Sequence, residues 1–157
     1  MNRTFLIFFL LCFCQVFCQD KSDENYQKAI SEVFGKCFKD LNPIEGTINV
    51  IPVNKNVKFC SLYQCVSRIG YTSKNEEIEQ AILKRAVQIT TLLYNEGTPI
   101  FLISGMGSFG EAAEKNQNLN DDNNLIYIDI AECITSESLE KIKDIINKQT
   151  LKLINTK

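Results

Sequence analysis

Residues 105–110 read Gly105-Met106-Gly107-Ser108-Phe109-Gly110, a G-x-G-x-x-G spacing directly after an apolar run, and Asp129 stands 19 residues beyond the last glycine. Glycines so spaced let backbone amides close on an anionic ligand, and an acid at the end of the next strand can hold a ribose hydroxyl. A dinucleotide site also wants a full crossover helix in the first β-α-β unit. Here the motif comes late, and residues 111–117 leave room for only two turns before an Asn/Asp-rich loop. No cofactor is assigned. What survives is a ligand loop at the C-terminal edge of a sheet, where open α/β domains bind. Its candidate binding residues are Ser104, Gly105, Gly107, Ser108, Gly110 and Asp129. Three glycines in six residues cost about 0.5–1 kcal/mol each relative to Ala on ordering, where a tight two-residue connection would suffice.

Ser104 and Ser108 raise the question of a nucleophile. The chain has no histidine, and Met106-Gly107-Ser108-Phe109-Gly110 lacks the first glycine of G-x-S-x-G. An ordinary serine hydrolase is excluded. Asp129 with Glu132 or Glu111 could run acid–base chemistry, and a cleft in which they converge would mark a histidine-free hydrolase or lyase. Asn118 to Asn124 carries oxygen ligands at alternate positions but has neither the glycine nor the terminal Glu of a calcium loop. No metal is assigned.

The remaining reactive side chains are cysteines, and their compartment decides their reading. Met1-Asn2-Arg3 begins the chain with a positive charge, Phe5 to Phe17 is almost wholly apolar, and Val16 and Cys18 fit a cleavage site before Gln19. Those 13 apolar residues fall short of the ~20 that a membrane-spanning helix needs. Residues 1–18 are therefore expected to be a removed secretory signal, with 19–157 a single α/β domain. The chain would then reside in the secretory-pathway lumen or outside the cell. Four cysteines remain there, Cys37, Cys60, Cys65 and Cys133, and an even number in an oxidising compartment predicts two disulfides. The pairing stays open. Cys60 and Cys65 would lie ~16 Å apart if extended, so either a turn joins them or each pairs elsewhere. No Cys-x-x-Cys pair suggests zinc or a redox centre.

Cleavage removes Arg3 and leaves 16 Lys+Arg against 19 Asp+Glu, a net of −3, with no basic cluster. That argues against a nucleic-acid partner.

The elements that must position these residues follow from apolar spacing. Tyr26, Ile30, Val33, Cys37 and Leu41 form one face of a helix over 22–41, stopped by Asn42-Pro43. Gly46 opens a strand at 47–53, and 54–56 is a turn. Residues 57–69 read as a strand running into a cysteine-bearing loop. Ser73 and Glu76 have capping-box spacing for a second helix with Ile78, Ile82, Ala86, Ile89 and Leu93 on its stripe and Gly97 at its C′ position. Residues 99–103 and 125–130 read as strands buried on both faces. A last helix starts near Thr135-Ser136, with Leu139, Ile142, Ile146 and Leu153 inward and Glu137 and Glu140 at its positive end.

The expected fold is α/β: three main helices packed on a mixed, partly parallel sheet of 3–5 strands, stapled by two disulfides. Its expected function is that of a secreted, non-catalytic module, monomeric or weakly dimeric, binding a protein or small ligand. The alternative is the carboxylate enzyme.

Overall fold

A computed structural model describes residues 27–44, 46, 58–72, 75–117, 124–133 and 135–156. The expected leader, the strand at 47–53, the turn at 54–56 and most of the Asn/Asp-rich loop lie outside the described residues. Among those described are five helices and two strands: α1 (27–34), α2 (Leu62–Ile69), α3 (Glu76–Asn95), β1 (Ile100–Ser104), α4 (Ser108–Gln117), β2 (Ile126–Ala131) and α5 (Glu137–Ile154).

The two long helices form where their apolar spacing demands. Ile78, Ile82, Ala86, Ile89 and Leu93 of α3 are all buried, as are Ile142 and Ile146 of α5, and the two helices pack together over one face of the sheet. Full burial of an Ile or Leu side chain contributes roughly 1.5–3 kcal/mol, so this contact is a large source of stability for the fold. α3 is capped by Asn75, whose side chain accepts from the Ile78 amide. Ser73, expected in that role, lies outside the described residues. At the far end Gly97 takes φ +79°, and the amides of Gly97 and Thr98 close on the Tyr94 and Leu93 carbonyls at 3.0 Å each. Ser136 caps α5 by accepting from Leu139.

β1 and β2 pair in parallel, with Ile100 beside Ile126, Leu102 beside Ile128 and Ile103 beside Asp129. α4 connects them as a β-α-β unit. Ile100, Leu102 and Ile128 face the core, while Phe101 and Tyr127 form a tilted aromatic pair, half-buried on the other side. Both free edges of this two-stranded sheet are closed by asparagine. The Asn147 carboxamide of α5 accepts from the Leu102 amide and donates to its carbonyl, both at 2.8 Å. Asn116 of α4 does the same for Tyr127, at 2.9 and 2.7 Å. Each carboxamide copies the hydrogen bonds that a further strand would supply. Thr150 adds a bond to the Ile100 carbonyl.

Several expectations need correction. The sheet has two strands among the described residues instead of three to five. The α1 helix ends by residue 34: Gly35 sits where a Cβ would stand 2.7 Å from the Ser31 carbonyl oxygen, and its amide bonds that oxygen. Cys37 is consequently exposed beyond the helix and not on a buried stripe. Residues 62–69 are helical, started by a complete capping box between Ser61 and Gln64. Among the described residues there is one disulfide, Cys37–Cys60, with Cα atoms 4.5 Å apart, and not two. It holds the segment after α1 against the start of α2, where the Phe38 amide also bonds the Cys60 carbonyl at 2.9 Å. Cys65 and Cys133 are free thiols. Cys65 points from α2 into the core and Cys133 lies exposed beyond β2, so their sulfurs face opposite environments and do not meet.

Candidate functional site

β1 and β2 run parallel, so Ser104 and Asp129 emerge near the same end of the sheet, where the chain turns through Gly105 to Gly107 into α4. Gly105 (φ +118°) and Gly107 (φ +80°) adopt conformations that favour glycine, and they flank Met106. This geometry throws Met106 outward. Its side chain is 96% exposed, with Phe109 38% exposed one turn along.

The polar candidates divide into two groups. Ser108 opens α4 and is buried; its hydroxyl donates to Asp129 Oδ1 and also lies 3.3 Å from the Ala131 carbonyl oxygen. This contact ties the start of α4 to β2 and places a carboxylate near a helix N-terminus, where the helix dipole favours it. Ser104 belongs to the second group. Its hydroxyl donates to Glu140 Oε1 at 2.9 Å and accepts from Lys143 Nζ at 2.8 Å, while Lys143 forms an ion pair with Glu140. Hydrogen bonds from Lys143, Thr135 and Ser104 hold the Glu140 carboxyl down to about 2, against an ordinary 4.5. A serine beside a lysine is the arrangement of some histidine-free hydrolases, in which a neutral amine takes the hydroxyl proton. The ion pair requires an ammonium, which has no lone pair for that task.

The loop's own amides are also partly engaged. Gly105 bonds the Ala131 carbonyl at 2.8 Å, Ser108 the Gly105 carbonyl at 3.1 Å, and Glu111 the Gly107 carbonyl at 3.0 Å. Gly110 lies inside α4, which begins three residues earlier than the expected Glu111. Ser104, Ser108 and Asp129 therefore share one sheet end, but the two serines serve separate contacts. The acids of the enzymatic alternative also have separate surroundings. Asp129 accepts from Ser108, Glu111 pairs with Lys115 at 2.9 Å, and Glu132 is exposed. Among the described residues no three acidic or cysteine side chains come together closely enough to hold a metal ion.

Sequence reasoning missed Lys143, Asn147 and Thr150 as partners of β1. The signal was present: Glu140, Lys143, Asn147 and Thr150 recur at spacings of 3, 4 and 3, a polar stripe along α5 beside its apolar one. Arg85 was missed too. It occupies the inward stripe of α3 between Ile82 and Ile89, where a charge is out of place, and it is only 8% exposed. Compared with known protein families, curated proteins and solved structures, the chain matches none.

Proposed function

We propose that this chain is a secreted, non-catalytic binding module that engages a protein partner through the loop Gly105–Gly110. Residues 1–18 act as the removed leader and 19–157 as one domain. The observation that carries this reading is Met106: a large apolar side chain, 96% exposed, held between two positive-φ glycines. Ordinary loop chemistry does not require such a residue there, and exposed apolar side chains grouped at one place commonly mark contact surfaces. Phe109 extends the apolar surface, while Ser104, Ser108 and Asp129 hold the scaffold beneath it. The Cys37–Cys60 disulfide suits an oxidising compartment. Among the described residues no helix is long and apolar enough to cross a membrane.

Incorporation of a photo-crosslinking phenylalanine analogue at Met106, in protein secreted by its own cells, tests this reading. One discrete adduct is expected, suppressed by excess unlabelled protein and not by an excess of Met106→Glu. An absence of adducts, or suppression by Met106→Glu equal to that by the native chain, would overturn it.

A further inference from the structure

A second region carries chemistry that the strand exits do not. Between the segment Asn42–Ile44 and one face of α3 runs an open groove of about 350 Å³, lined on the helix side by Glu77, Ala81, Lys84 and Arg85. That volume is of the size that admits a small organic molecule. Arg85 is more than nine-tenths buried. One terminal nitrogen of its guanidinium donates to the Asn42 carbonyl, and its Nε–H, closed off from solvent, has no hydrogen-bond partner. No described carboxylate forms an ion pair with it. Its other electrostatic neighbour is the Cys65 thiol, which burial pushes up to about 12 and thereby keeps neutral.

A buried charge that no described carboxylate pairs, with an unsatisfied donor beside it, is among the most costly things a protein interior can hold. Folded chains seldom retain one unless something answers it. Guanidinium presents its donors as a planar fork, which two oxygens of a carboxylate or a phosphate match bidentately and a single carbonyl does not. Glu77 offsets one of the two positive charges lining the groove, which suits the single negative charge of a carboxylate better than the near-double charge of a phosphate. Lys84 adds positive charge to the same wall, and Glu77 lies about two helical turns away. We infer that this groove binds a small carboxylate-bearing molecule, its carboxylate received by the terminal nitrogens of Arg85 and assisted by Lys84, its body lying over Ala81. The site is independent of the loop at the strand exits.

The Arg85 Nε–H can be observed directly by nitrogen-15 NMR of the native chain, with sodium phenylacetate as probe, benzyl alcohol as its neutral counterpart and inorganic phosphate as a more highly charged anion without an organic body. Phenylacetate is expected to give a saturable shift of this resonance at millimolar concentration, with benzyl alcohol silent and phosphate weaker. Arg85→Lys keeps the charge and loses the fork, and should weaken the response of neighbouring α3 amides about tenfold. Should that variant fail to fold, Ala81→Leu leaves Arg85 intact and fills the groove, and it should abolish the shift. An Arg85 resonance unmoved by phenylacetate would overturn the assignment. So would an equal response to phosphate, or undiminished binding in Ala81→Leu.

Discussion

At the strand exits Ser108 donates to Asp129, and Ser104 joins Lys143 and Glu140, whereas beside α3 a buried guanidinium keeps a donor without an acceptor. The same contrast holds for the two free thiols: Cys133 is exposed just past β2, and Cys65 is sealed in the core near Arg85. The strand-exit end has the more suggestive sequence, with its glycines, serines and acid. Yet its candidate polar side chains are met from within, and what it offers outward is chiefly apolar. The α3 groove has no motif, but it holds the imbalance. Residue types arranged like a ligand site can serve as scaffold, and an unanswered donor is the better pointer to a ligand.

The largest difference between the regions should appear in thiol chemistry. In the chain lacking residues 1–18, alkylation without reductant should label Cys133 at the rate of an exposed thiol and Cys65 about a thousandfold more slowly, because only opening of the core exposes it. Mass spectrometry should find one label per native chain and two after denaturation; two labels at equal rates would erase the contrast. The raised value also sets a direction. Stability that depends on the neutral Cys65 thiol is fully present below pH 9, the ordinary value, and is lost as pH rises towards about 12.

Next in size is Ser108→Ala, which leaves the Asp129 carboxylate without its buried hydroxyl donor. Urea denaturation should show a loss of about 2 kcal/mol. A loss below about 0.5 kcal/mol, the range of unremarkable surface substitutions, would mean that Ser108 is no tie and is free to meet a ligand.

The smallest effect is expected at Glu140. Its carboxyl is held below the ordinary value, so its contribution is present above pH 4.5 and is lost as pH falls towards about 2. The side chain is 38% exposed, and solvent screening keeps that contribution below about 1 kcal/mol. Glu140→Gln should flatten the stability profile across this interval, as read from urea midpoints at a series of acidic pH values. An unchanged profile would show that the Ser104–Lys143–Glu140 group contributes nothing to folding.

The sequence made parts of this molecule legible and hid others for identifiable reasons. α3 and α5 were readable from their long apolar periodicity, and β1 and β2 from short, continuously apolar runs. α2 was misread because Cys60 and Cys65 drew attention to a loop, although Ser61 and Gln64 already formed the capping box that starts a helix. The end of α1 turned on a single glycine inside an apolar rhythm that continues past it to Leu41. Cysteine counting predicted two disulfides because it weighs compartment and number, and burial direction is invisible to it. The asparagine closures of the sheet join residues 11 and 45 positions apart, and no local pattern announces such a pairing. At the candidate site, the shared end of Ser104, Ser108 and Asp129 was readable from strand order. Their engagement by one another and by α5 was not, since it depends on how α5 lies along β1.

The most direct test of the imbalance at Arg85 is the stability of Arg85→Met, measured by urea denaturation beside the native chain. Methionine fills similar space without a charge, and removal of an uncompensated buried guanidinium should raise stability by about 1 kcal/mol even though the bond to the Asn42 carbonyl is lost. A fall of about 2 kcal/mol or more would instead make Arg85 a structural tie already satisfied within the fold, and the contrast between the two regions would disappear.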